Sequence, residues 1–73
     1  MKEEEFLAEI GRRIKKQRKA ANLSQQQLAS MCDFEKSNMS RLESGKSNPT
    51  LITLRKVCLA LNTNVCTICE DMF

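Results

Sequence analysis

Apolar residues recur along most of the chain at three- and four-residue intervals, with polar residues filling the gaps. Phe6 or Leu7, Ile10, Ile14 and Ala21 form the first such stripe and predict a helix from Glu3 to about Ala21. Glutamates crowd its first turn, where they oppose the positive end of the helix dipole, and Arg18 and Lys19 lie in its last turns. Gly11 falls in the middle, at a cost of about 1 kcal/mol relative to alanine. The sequence alone gives no reason for it. Asn22 ends the helix, because asparagine tolerates the left-handed backbone of a helix stop.

A second, shorter stripe follows. Ser24 and Gln27 form an S-x-x-Q capping box, in which each side chain satisfies a backbone N–H at the other position. Leu23 and Leu28 are placed for the hydrophobic staple that accompanies such a box. The helix runs from Gln25 to about Cys32 and buries Leu28, Ala29 and Cys32. After a short connection at Asp33, a third helix turns Phe34, Met39 and Leu42 inward and shows Glu35, Lys36, Ser37 and Arg41 on its other face. It stops at Gly45, where a left-handed residue is cheap for glycine.

Thr50, after Pro49, caps a fourth helix whose buried face is marked by Leu51, Leu54, Val57, Cys58 and Leu61. In the last stretch, NTNVCTICEDMF, Asn64 is placed to cap a fifth helix with Val65, Ile68, Cys69 and Met72 on one side. Its Thr, Val, Ile and Cys content also suits a short strand. Helix is the preferred reading. Ile68, Met72 and Phe73 give this tail an apolar character that one small domain is not expected to bury alone. An exposed patch of that kind marks a contact, so a homodimer is expected.

A short polar helix beyond a tight turn is what a helix-turn-helix offers to the DNA major groove. The segments L-S-Q-x-x-L-A, N-M-S-R-L-E-S-G-K and S-N-P-T-L-x-T-L, in that order and spacing, resemble the Cro/C1-type (Xre family) helix-turn-helix over about residues 10–61. The resemblance implies an all-α, compact five-helix bundle of the lambda-repressor-like type, with the helix-turn-helix made by the second and third helices. It also implies a DNA-binding regulator, usually dimeric. On this reading Lys36, Ser37 and Arg41 are base-edge candidates, joined by Glu35, and Gln25, Ser40, Lys46 and Ser47 are candidates for phosphate contact. Asn38 is left open between packing and bonding within the protein. Arg18 and Glu43 fall where the family places a structural ion pair.

Two positions depart from the pattern. Asp33 stands where the family usually has glycine, and aspartate tolerates left-handed geometry better than most residues. Glu35 stands where Ser or Thr usually caps the recognition helix. Glutamate caps poorly and brings negative charge near DNA, although it can accept a hydrogen bond from a cytosine amino group. It also leaves room for rivals: an antitoxin subunit that binds a toxin as well as DNA, or a protein-interaction module that has lost DNA binding.

Charge sharpens this picture. The chain has 73 residues and a net charge of +3, unevenly spread. Residues 1–9 carry −3, residues 10–56 carry +8, and the tail carries −2. The basic stretch coincides with the helix-turn-helix, as phosphate contact requires. The length suits one domain over residues 1–73, and no apolar run approaches the ~18 residues of a membrane span. Cytoplasmic location is the default expectation. There are no histidines, which removes the commonest general base and metal ligand, and no enzyme is expected. Cys66-x-x-Cys69 has zinc-ligand spacing, but Cys32 and Cys58 stand alone at buried-looking positions. Buried thiols are the favoured reading, with Cys66 the most exposed, and no metal or cofactor is expected.

Overall fold

A computed structural model describes all 73 residues and consists of five helices without a strand: α1 (Glu3–Ala20), α2 (Gln25–Met31), α3 (Lys36–Glu43), α4 (Leu51–Ala60) and α5 (Val65–Ile68). The last stretch is therefore helical, with the Asn64 side chain accepting a hydrogen bond from the Thr67 N–H at 2.8 Å. Ser24 and Gln27 close the expected capping box on α2, and Thr50 accepts from the Thr53 N–H at 3.1 Å to cap α4.

The first four helices end in the same way. In α1 to α4 the residue beyond the C-cap has positive φ: Asn22 (59°), Asp33 (57°), Gly45 (76°) and Asn62 (57°); after α5 the left-handed residue, Asp71 (61°), comes one position later. After the first four helices, the next N–H reaches back into the last turn: Leu23 to Arg18, Phe34 to Ala29, Lys46 to Arg41 and Thr63 to Cys58. This is the Schellman arrangement, which satisfies carbonyls that the helix leaves over. Asp33 takes the left-handed geometry expected of it at this turn.

One apolar cluster holds the helices together, with Ile14, Leu28, Met39, Val57 and Ile68 fully enclosed. Leu23, Phe34, Leu54 and Val65 pack around it half-buried. The α1–α3 crossing explains Gly11. A Cβ there would lie 2.5 Å from the carbonyl oxygens of both Leu42 and Glu43. Gly45 makes a second close approach, to the Ala8 backbone. Both glycines let the end of α3 press directly onto α1.

Three expectations need correction. Ala21 is exposed, and the buried place at that end of α1 belongs to Arg18. Leu51 is not on the buried face of α4: it is 73% exposed, because the core side of this helix starts only at Leu54. The tail is not a bare apolar patch either. Ile68 and Met72 are buried, and only Phe73 stays outside, its ring edge-on to Phe6 with centroids 5.6 Å apart. The reason is Arg13. Its guanidinium donates to the Ile68 carbonyl at 2.9 Å and the Glu70 carbonyl at 2.6 Å, fastening the tail to α1.

Candidate nucleic-acid interface

The second helix of the helix-turn-helix is positioned by what it buries. Met39 and Leu42 enter the core, and Glu43 turns inward as well. With period 3.6, that leaves Lys36, Ser37, Ser40 and Arg41 facing outward, and all four are exposed. Asn38 is exposed too. It borders a shallow groove between α3 and α4 together with Arg41, Ser47 and Thr53.

Glu43 is the anchor. Its carboxylate is 2% exposed and accepts from Arg18 Nε at 2.6 Å and Nη2 at 3.0 Å. Gln25 Nε2 adds a third bond at 3.1 Å. The remaining Arg18 nitrogen, Nη1, donates to the Leu23 carbonyl at 2.7 Å. One buried cluster thus ties the end of α3 to α1, to the first turn of α2 and to the loop between them. Donating these hydrogen bonds to Glu43 holds the Arg18 guanidinium above its ordinary pKa. Gln25, half-buried, directs its amide at Glu43 and not outward.

Arg41 is steadied from the loop beyond α3. Its Nη2 donates to the Lys46 carbonyl at 3.1 Å, while the Lys46 N–H bonds the Arg41 carbonyl at 2.9 Å. The Nε hydrogen, both Nη1 hydrogens and the second Nη2 hydrogen remain free to donate. Lys46 and Ser47 follow Gly45 in the same loop, Lys46 exposed and Ser47 half-buried. Glu35 is the N-cap of α3 and makes no side-chain cap bond. Its carboxylate is exposed at the start of the outward face.

The α1 arginines and the cations of α3 and its loop differ in their partners. Arg12 and Arg13 are engaged by Glu9, at 2.7 Å and 2.8 Å. The hydrogen bond from Arg12, then that from Arg13, brings the Glu9 carboxyl down to about 2. Neither arginine is therefore a spare cation for phosphate, and Arg13 also serves the tail. Lys36, Arg41 and Lys46 form no ion pair. Sequence reasoning missed the Arg13 clamp and the Arg41–Lys46 contact. Both depend on where a carbonyl lies in space, for which the sequence carries no signal.

The thiols of Cys32, Cys58 and Cys69 are pushed up by burial, while Cys66 is exposed. No helix is long and apolar enough to cross a membrane.

Comparison with known proteins agrees with this arrangement. The helix-turn-helix family HTH_3 matches residues 14–68. The restriction-modification controller protein C.AhdI from Aeromonas hydrophila is 31% identical, with a TM-score of 0.78 over 80% of this chain and 88% of that one. SinR, solved in complex with SinI, is 34% identical with a TM-score of 0.80, over 86% of this chain and 62% of the other. An HTH_3 family transcriptional regulator from Vibrio cholerae is 26% identical with a TM-score of 0.86, over 96% of this chain and 39% of that one. No curated protein matches the sequence.

Proposed function

The chain belongs to the helix-turn-helix family HTH_3, and from that premise we propose that it is a transcriptional regulator that binds duplex DNA with α3 in the major groove. The observation that carries this is the outward face of α3 and its loop. Lys36, Arg41 and Lys46 are exposed and free of carboxylate partners, on a helix locked in place from behind by Glu43. Lys36, Ser37 and Arg41 read base edges, and Glu35 accepts from a cytosine amino group. Ser40, Lys46 and Ser47 face the phosphates. Gln25 positions α2 through Glu43 and reaches phosphate with what its amide leaves free. Residues 1–73 act as one domain and as a homodimer, in the cytoplasm with the DNA.

Arg41 and Lys46 separate reading from holding. A guanidinium paired with guanine O6 and N7 is worth about 1–3 kcal/mol of base discrimination. A lysine on the backbone contributes equally to all sequences and about one unit of salt slope. The operator is first selected from random duplexes at stated salt. Arg41→Ala should then weaken the selected site far more than scrambled DNA and leave most of the salt dependence. Lys46→Ala should weaken both alike and lower the slope. Equal weakening by Arg41→Ala would show that α3 does not read bases. Absence of any sequence preference in the wild type would remove the regulator reading.

A further inference from the structure

Apart from Met31, the large apolar residues left outside the fold fall in two areas. On the outer face of α4, Leu51, Ile52 and Leu59 are all more than half exposed, with the exposed Arg55 and Lys56 between them. Neither cation forms an ion pair. A second exposed area surrounds the first turn of α1, where Met1 and Phe73 stand beside Glu3 in one shallow depression. Glu3, Glu4 and Glu5 are exposed and unpaired as well. The depression is bounded by Asn48, three residues before Leu51, so the two areas are bridged by at most ~11 Å of chain. From the first turn of α1 along α4 the exposed surface runs acidic, then apolar at Leu51 and Ile52, then basic at Arg55 and Lys56, with Leu59 beyond.

A band of this kind complements a copy of itself turned end for end. A twofold contact uses the same patch on both copies, so an acidic end must meet a basic end. Face-to-face stacking of α4 on α4 would fail that condition. Arg55 is midway between Leu51 and Leu59, and it would meet the partner's Arg55. Resting on the dimer reading above, we propose that this band is the contact between two copies. The axis passes near Leu51 and Ile52, and Glu3 and Glu4 of each copy face the Arg55 and Lys56 of the other. The buried tail does not form the contact. Apolar burial at the centre supplies affinity, and the charged ends select register and partner.

Sedimentation of the whole chain across micromolar concentrations tests this, at low and high salt. The wild type should dimerise, more weakly as salt rises. Arg55→Glu with Lys56→Glu should weaken dimerisation about tenfold or more, as should Glu3→Lys with Glu4→Lys. All four changes together should restore most of the loss, because the charges are exchanged and not removed. Ile52→Asp should abolish the dimer. These sites are exposed, and thermal melting of each variant confirms an intact fold. A wild-type dimer indifferent to both reversals, or a fourfold variant no better than either double, overturns this interface and leaves the dimer reading standing. A wild type that stays monomeric, with and without duplex DNA, overturns both.

Discussion

Removing Arg18 should cost more than removing Glu43, although the two are partners in one ion pair. In Arg18→Met the Glu43 carboxylate, 2% exposed, keeps only the Gln25 amide, and the Leu23 carbonyl loses its donor. In Glu43→Gln the guanidinium, 8% exposed, keeps the Leu23 carbonyl and is nearer to water. Breaking a buried pair costs about 3–5 kcal/mol, mostly through the charge left behind. The upper part of that range applies to Arg18→Met and the lower end, or somewhat less, to Glu43→Gln. A chain of 73 residues has only about 4–11 kcal/mol of stability. Arg18→Met should therefore be close to unfolded, with its melting point lowered by roughly 15–40 °C. Replacing both partners with apolar residues, Arg18→Met with Glu43→Leu, should cost clearly less than the two single changes added, since no charge is stranded. Urea titrations followed by circular dichroism of the wild type, Arg18→Met, Glu43→Leu and the double variant give the four corners of the cycle, with Glu43→Gln measured beside them. Single losses below about 1 kcal/mol, the size expected of an exposed pair, would refute the reasoning. So would a Glu43→Gln that is worse than Arg18→Met.

Gly11→Ala should destabilise by about 1–3 kcal/mol through overpacking against the Leu42 and Glu43 carbonyls, despite alanine's better helix propensity. A raised melting point would show that the crossing can relax. Glu35→Thr should stabilise by about 1 kcal/mol, since the present N-cap makes no cap bond. An unchanged or lower melting point would count against it. Glu9 has a folded pKa of about 2 against an ordinary 4.5. Because the folded value is the lower one, its contribution to stability is complete above about pH 4.5 and is lost as the pH falls through about 2. Titrating the Glu9 carboxyl by NMR in the folded protein should show that low midpoint, and a midpoint near 4.5 would refute it.

What the sequence disclosed was mostly local. The capping box at Ser24 and Gln27, the cap at Thr50 and the stops at Asn22 and Gly45 are contained within a few residues, and all are present. The outward set on α3 follows from the period of Met39 and Leu42. What it concealed depends on elements meeting across the fold. Gly11 is explained only by the α3 carbonyls that approach it. The tail reads as exposed until Arg13 is seen to return to its carbonyls, fifty-five and fifty-seven residues away. Leu51 has the spacing of a core residue, but no element covers the start of α4 on that side. In the candidate interface the residues were legible and their constraints were not: nothing in the sequence says that Gln25 is committed to Glu43 or that Arg41 leans on Lys46.

The close packing at Gly11 and Gly45 holds α3 most directly at its C-terminal end, while Phe34 and Met39 hold its start through the core alone. Its C-terminal end is pinned by two backbone approaches to α1 and by the Glu43 cluster. Its N-terminal end starts at an uncapped, exposed Glu35. At ~1.5 Å per residue, Lys36 is about 7–8 Å further from the pinned end than Arg41. Positional play grows along that distance, and hydrogen-bond readout tolerates little of it. The fidelity of reading should therefore be graded along the groove. Selected duplexes should be nearly invariant at the base under Arg41 and progressively degenerate toward those under Lys36 and Glu35, and a uniform or reversed gradient would show that the pinned end does not govern readout.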